Sequence, residues 1–314
     1  PLAQRRVDMN GKRALVTGGS GFIGGAIAAS LRADNDVRTL DTDPDPPAGV
    51  TGIEGDVRDA RTVDEAVEGV DVVFHQAAIV SVDRSIDEPV ESHTVNATGT
   101  LRVLEAARRH GARVVAASSA AVYGDPEGVP VAETAPLEPT SPYGLNKLAL
   151  DHYLRLYHDL YGLDTVALRY FNVYGPGQTG GDYAGVIEAF LRAARSGEPL
   201  TVHGDGDQTR DFVHVDDVVR ANLLAAETDA VGAAYNVGTG ESVTVRGLAD
   251  RIRRAVGSDS PVVHGDARDG DIRHSRADLT RAREGLGYRP TVDLAEGLAT
   301  LVDERAGAAA SENA

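Results

Sequence analysis

The chain has 314 residues, 31 basic and 48 acidic, and a formal charge of −17: room for two lobes around a large core, under a field that argues against a broad nucleic-acid surface. With no cysteine, disulfide scaffolds, thiolate metal sites and cysteine nucleophiles are excluded. No apolar run approaches the roughly 18–20 residues of a membrane span, and the polar start lacks the apolar core of a signal peptide, so a soluble cytoplasmic protein is expected.

Residues 1–8, ahead of the only methionine, Met9, are expected to be an appended remnant or a late-start extension. Beyond them, short β-branched runs alternate with amphipathic helical stretches. Strands are predicted over 13–16, 37–41, 72–74, 113–117 and 165–168, and helices over 22–32, 63–68, 95–109 and 143–161. Alternation at this spacing implies a parallel sheet covered on both faces, with right-handed crossovers. After about Asn172 the rhythm loosens. Glycine- and proline-rich stretches separate shorter elements, with helices near 183–195, 215–226 and 245–255. This part reads as a smaller lobe closing over the sheet's carboxyl edge, where open α/β folds bind ligands. The tail 306–314 is small and polar and is expected to be disordered.

The first predicted strand runs through Gly18, Gly21 and Gly24 into a helix. Glycines at this spacing permit a tight turn, close backbone approach to a pyrophosphate and close helix–strand packing, while the helix start offers free N–H groups to the anion. An ordinary βα turn could use the same residues. The second strand ends at Asp41, 23 residues beyond Gly18. A carboxylate there can accept both adenosine ribose hydroxyls and would repel a 2′-phosphate, favouring NAD over NADP. Because Asp43 and Asp45 follow, a solvated acidic loop is the competing reading.

From about residue 12 to 303 the chain resembles the extended short-chain dehydrogenase/reductases, specifically the nucleotide-sugar 4-epimerases of the UDP-glucose 4-epimerase group. The resemblance rests on Thr17-Gly-Gly-Ser-Gly-Phe-Ile-Gly24, Gly55-Asp-Val57, His75-Gln-Ala-Ala78, Asn96-Ala-Thr-Gly-Thr100 and Ser118-Ser-Ala-Ala-Val-Tyr-Gly124. It continues through Tyr143-Gly-Leu-Asn-Lys147, Leu168-Arg-Tyr-Phe-Asn-Val-Tyr-Gly-Pro176, Gln208-Thr-Arg-Asp-Phe212 and Arg268-Asp-Gly-Asp271. It implies an α/β fold: a Rossmann-type doubly wound parallel sheet over 9–172 that binds NAD, and a smaller C-terminal α/β substrate lobe, mainly 173–305, with some segments returning to the first domain. The cofactor residues it implies are Gly18, Gly21, Phe22, Ile23, Gly24, Asp41, Asp56, Val57, Ala77, Ala78, Asn96, Ser118, Tyr143, Lys147 and Tyr170.

Tyr143 and Lys147 lie four apart and share one helix face. A free tyrosine titrates near 10, but a nearby ammonium and a positive nicotinamide ring both favour the phenolate. Lowering that value by about 3 units needs roughly 4 kcal/mol of differential stabilisation. An exposed i,i+4 pair is the alternative. Against it, Lys147 is one of only two lysines, with Lys12, in a chain that otherwise uses arginine, and a compact ammonium approaches ribose hydroxyls better than a guanidinium does. Ser119 matches the family residue that hydrogen-bonds the reacting sugar hydroxyl. Dehydratases of the superfamily carry Asp-Glu after it, and decarboxylases usually a Glu; Ala120 and Ala121 stand here, so no acid is supplied to a leaving hydroxyl.

In the second lobe Asn172, Arg210 and Arg268 match diphosphate and ribose contacts, where arginine's fork suits phosphate oxygens. Asp271 matches the carboxylate on the nucleotide ribose, and Val186, Thr201 and His203 fall where the base is enclosed. Ser275 aligns with a position whose small side chain leaves room for an N-acetyl group. Two residues depart from the family pattern: Gln76 replaces an apolar residue, and Val80 a lysine of some epimerases. No metal is expected, since His152 and His158 point to different helix faces. The resemblance therefore implies NAD-dependent epimerisation of a UDP-hexose at C4 through a 4-keto sugar, in galactose metabolism. A UDP-glucuronate 4-epimerase or 4-keto-sugar reductase is the alternative, and a non-catalytic nucleotide sensor a distant third. A homodimer pairing helices 95–109 and 143–161 is implied as well. The acidic, arginine-rich composition is that expected of a protein adapted to high salt.

Overall fold

A computed structural model describes residues 9–178, 185–267 and 271–312, from 304 onward as helix backbone only. Seven strands, β1 (Arg13–Thr17), β2 (Asp36–Asp41), β3 (Thr51–Glu54), β4 (Val72–His75), β5 (Arg113–Ser119), β6 (Thr165–Tyr170) and β7 (Ala233–Val237), form one sheet in the order β3-β2-β1-β4-β5-β6-β7. All its pairings are parallel. The order reverses between β1 and β4, and such a switch point opens a crevice at the carboxyl ends of the strands. The longer helices are α1 (Phe22–Leu31), α2 (Ala60–Val67), α3 (Gly99–His110), α4 (Pro142–Tyr161), α5 (Val186–Ser196), α6 (Val215–Glu227), α7 (Val245–Val256) and α8 (Leu294–Glu312).

Side chains along a strand alternate between faces. Val16, Phe74, Val115 and Leu168 point into a core shared with Ile27 of α1 and Leu224 of α6. Leu15, Val73, Val114 and Ala167 enter another with Val63 of α2, Leu104 of α3 and Leu154 of α4. Burial on both faces is why these strands read as near-continuous apolar runs. Two strands escaped the sequence reading for the converse reason. β3 is a short, mostly exposed edge strand, and β7 opens on two alanines, so neither carries a β-branched run.

The second lobe has its own core, in which Phe190 and Leu191 of α5 meet Leu248 and Ile252 of α7 and Leu298 of α8. Three two-stranded pairings border it: Asn172–Tyr174 with Phe212–His214, Thr209–Arg210 with Val243–Thr244, and Leu200–His203 with Val262–Gly265. Between Phe212–His214 and Val243–Thr244 the chain returns to the large sheet through α6 and β7. Helix α8 runs to Glu312, into the stretch expected to be a disordered tail, where an alanine-rich run favours helix; residues 313–314 lie outside the described residues.

Candidate active site

The turn after β1 is built for close approach. Gly18 has φ +69°, and a Cβ on it would lie 2.7 Å from the backbone nitrogen of Ala77. A Cβ on Gly24 would collide with the Gly18 carbonyl. Gly21 is the N-cap of α1, and no side chain caps that end. The N–H groups of Phe22, Ile23 and Gly24 therefore have no partner within the helix, at a turn where Gly18 and Gly24 have no room for a Cβ. Asp41, at the end of β2, accepts a hydrogen bond from the Ser20 N–H at 3.1 Å, which sets its carboxylate on the rim of the same turn. Ser118, at the end of β5, has a buried hydroxyl with no partner. This cradle and this orphaned hydroxyl fit a dinucleotide such as NAD.

The loop after β4 is clamped from both sides. Thr100 donates its single hydroxyl proton to the Asn96 carbonyl at 2.6 Å, so it accepts from His75 Nε2–H at 3.0 Å. His75 Nδ1 then accepts from the Thr17 hydroxyl at 2.8 Å, which accepts in turn from the Ala77 N–H at 3.3 Å. Burial and the neighbouring Lys147 push His75 down to about 3, consistent with this neutral tautomer. Asn96 closes the other side, accepting from the Ile79 N–H and donating to the Ile79 carbonyl, both at 2.8 Å. It sits on a π-turn, Thr94–Thr98, at the start of α3, a distortion that recurs at functional sites. Ala77 and Ala78 are thus held opposite Gly18. Asp56 pairs with Arg58, which holds its carboxyl below the usual value, and Val57 packs against Gly99.

Helix α4 begins where Ser141 accepts from the Gly144 N–H and Ser85 accepts from the Tyr143 N–H, each at 3.1 Å. Pro142 occupies its first turn, where a missing N–H costs nothing. Its first turns present Tyr143 and Lys147 to the end of β5. Ser119 is close enough to the Tyr143 phenol to favour its ionised form. Lys147 is 3 % exposed, donates from Nζ to the Ala117 carbonyl at 2.7 Å and lies 5.8 Å from the centre of the Tyr143 ring. Burial pushes the lysine down to about 8. Burial pushes the Tyr143 phenol up, and Ser119 opposes that shift.

In the second lobe Arg210 and Asp271 form an ion pair. Gln208 donates to the His203 carbonyl at 2.8 Å and reaches Asp271 at 3.5 Å. Asn172 donates to the Asp211 carbonyl at 2.9 Å, next to Arg210, and the Ser275 N–H bonds the Thr209 carbonyl. His203, Arg210, Asp271 and Ser275 are thus brought together, with Asn172 one residue away. Thr201 is exposed on the strand leading to His203, and Val186, at the start of α5, packs on the lobe's core. Arg268 lies outside the described residues.

Asn222, Asp151 and Asp211 were not singled out as site residues. Gln76, Tyr170 and Asn222 close a triangle: Tyr170 donates to Gln76 at 3.2 Å, Gln76 donates to Asn222 at 3.2 Å, and Asn222 donates to Tyr170 at 2.8 Å. The departure at Gln76 therefore has a structural partner set, which also engages the Tyr170 hydroxyl. Asp151, one turn beyond Lys147, is buried against Arg169 at 2.7 Å. Asp211 accepts from the N–H groups of Thr239, Gly240 and Ala277 and from the Thr239 hydroxyl, tying Arg210's strand to β7. A charged residue four places after Lys147, and the aspartate inside Gln208–Phe212, were the available signals. Among the described residues no acidic or histidine cluster could hold a metal, and no helix is long and apolar enough to cross a membrane.

A doubly wound parallel sheet, a glycine cradle at its first turn and a tyrosine–lysine pair beside it define a dinucleotide-dependent enzyme of the extended short-chain dehydrogenase type. The model of the NAD dependent epimerase/dehydratase family matches residues 14–238, and the chain belongs to that family; its cofactor is NAD. It is 42% identical to the UDP-glucose 4-epimerase of Mycolicibacterium smegmatis over 306 residues, covering 93% of this chain and 97% of that one. Among solved structures it superposes on a UDP-N-acetylglucosamine 4-epimerase from Methanobrevibacter ruminantium M1, in complex with UDP-N-acetylmuramic acid, with TM-score 0.91, 36% identity and coverage of 96% and 100%. The Thermus thermophilus UDP-glucose 4-epimerase complex with NAD gives TM-score 0.86, 39% identity and coverage of 94% and 99%.

Proposed function

We propose that the chain is a UDP-sugar 4-epimerase that interconverts UDP-glucose with UDP-galactose, and the N-acetylated pair, through a transient 4-keto sugar. The observation that carries this reading is Tyr143 with Lys147 one turn along the same helix, its Nζ 5.8 Å from the tyrosine ring centre, at the end of the strand that carries Ser118 and Ser119. The 4-epimerases to which the chain is similar support it.

In this reading the N–H groups of Phe22, Ile23 and Gly24 hold the cofactor's pyrophosphate, and Asp41 its adenosine ribose. When bound, NAD supplies the redox chemistry, accepting the C4 hydride and returning it, so no net oxidation results. Ser119 orients the sugar 4-hydroxyl on Tyr143. Tyr143 as the phenolate takes its proton, and Lys147 offsets the phenolate's negative charge beforehand in a poorly solvated crevice, where that attraction is strongest. Arg210, Asn172 and Asp271 grip the nucleotide end while the keto sugar rotates to present its other face, and Tyr143 returns the proton to the C4 oxygen. Ala120 and Ala121 offer no acid for dehydration, and the small Ser275 leaves space for an N-acetyl group.

The lobe over 9–172 would bind NAD, and most of 173–305 the nucleotide sugar. Along the outer face of α4, Leu145 and Leu160 are 59% and 67% exposed, and nearby Val90 is 76% exposed. A second copy would bury this stripe, giving a cytoplasmic homodimer. Incubating the purified protein with a panel of UDP-sugars and chromatographing the products tests the function, with constant absorbance at the reduced-nicotinamide band. Stoichiometric loss of added NADH would mean a 4-keto-sugar reductase, and turnover of UDP-glucuronate alone a glucuronate epimerase. Turnover of only the non-acetylated pair would remove the role given to Ser275.

A further inference from the structure

Helix α4 carries a third ionisable group toward the sheet, one turn beyond Lys147 and two beyond Tyr143. Asp151 has a side chain only 4% exposed, and its Oδ2 accepts from Arg169 Nε at 2.7 Å. Its other oxygen, Oδ1, is buried without a partner. Arg169, equally buried, spends further donors on the Tyr123 hydroxyl at 2.9 Å and the Glu133 carbonyl at 3.1 Å. Lys147 and Arg169 reach adjacent strands: Nζ bonds Ala117 of β5, and Arg169 belongs to β6, with Ser118 as its register partner. One buried cation, Arg169, is thus bonded to the buried carboxylate, and a second, Lys147, lies one helical turn from it on the same face. Residues four apart on a helix are neighbours, and a buried ammonium without an anion nearby tends to neutralise.

The other charged or titratable groups around Lys147 do not replace that anion. Tyr143, on its own helix, is a phenol. His75, from β4, is neutral and hydrogen-bonded at both ring nitrogens. His93, from the short helix Pro89–His93, bonds Asn146.

We propose that Asp151 is a positioning residue of the Tyr143–Lys147 pair, its carboxylate shared between Arg169 and Lys147 so that the ammonium stays charged beneath the tyrosine. This rests on the catalytic reading of Lys147 given above. A purely structural role, pairing with Arg169 alone, would leave the lysine's titration untouched. Burial lowers Lys147 while Asp151 opposes that lowering, in keeping with a shared carboxylate.

The chain has only two lysines, so the proposal can be read directly. Labelling lysine Cε with ¹³C gives two side-chain resonances, assigned with Lys12→Arg, and Lys147 is followed as pH is raised. In the purified protein it should titrate near 8. Asp151→Asn should move that midpoint down by about one pH unit, and the alkaline limb of kcat/KM should move down with it, since activity is lost as the ammonium deprotonates. Asp151→Glu should restore both. Arg169→Gln, which removes the competing cation, should move Lys147 the opposite way. Loss of a structural salt bridge alone predicts no such pair of opposed shifts. An unchanged Lys147 midpoint in folded Asp151→Asn overturns the proposal. If that variant does not fold, a midpoint that stays or falls in Arg169→Gln overturns it instead. The resonance reports the coupling whichever sugar is turned over, so failure of the UDP-sugar panel and failure of this inference remain distinguishable.

Discussion

The two halves of the crevice are held in different ways. On the cofactor side, polar groups are fixed by partners elsewhere in the scaffold: His75 between Thr17 and Thr100, Asn96 against Ile79, Lys147 on Ala117. On the substrate side, Arg210 and Asp271 are bonded to each other. The first arrangement is preorganised and loses little on binding. In the second, an arginine offered to a diphosphate must give up or share its carboxylate. Chemistry in this protein is therefore expected to depend on the first half and affinity on the second.

Tyr143→Phe breaks the comparison most directly. It removes the acid–base group while keeping the ring, so kcat should fall by about 10²–10⁴-fold, with the unfolding temperature and the content of bound NAD little changed. Activity retained in a steady-state assay would show that the preorganised half is not where the proton moves. Arg210→Met is next. It should raise KM about 10- to 100-fold, the range for losing a charged contact worth roughly 1.4–3 kcal/mol, and leave kcat within a few-fold. Initial rates across a range of UDP-sugar concentrations separate the two constants. A loss confined to kcat would place Arg210 with the chemistry and erase the distinction.

The same contrast explains how far the sequence could be read. Strands such as Val72–His75 and Arg113–Ser119 were legible because both faces are buried. Gly18, Gly21, Gly24, Tyr143 and Lys147 were legible because turn geometry and helical spacing are local. Pairings across long separations were not. Asp151 with Arg169 spans 18 residues and Arg210 with Asp271 spans 61, and nothing in local spacing encodes either. β7 was lost for the same reason: Ala233–Val237 is a strand because β6 offers it an edge, not because Ala-Ala-Tyr-Asn-Val favours one.

The smallest expected effect sharpens the comparison within the cofactor half. Gln76 bonds both Tyr170 and Asn222, and Asn222 is fully buried on α6 while Tyr170 is 6% exposed on β6. Gln76→Leu preserves bulk but leaves the Tyr170 hydroxyl without its acceptor and the Asn222 carbonyl without its donor. An unsatisfied buried group costs about 1–3 kcal/mol, which calorimetry or urea unfolding should report as lost stability, with kcat nearly unchanged. Tyr170→Phe removes one of the stranded groups, so the double variant should lose less than the sum of the singles, with a coupling of about 0.5–3 kcal/mol. Strict additivity would mean that the triangle is not a unit, and that rigidity on this side of the crevice comes from the His75 and Asn96 clamps alone.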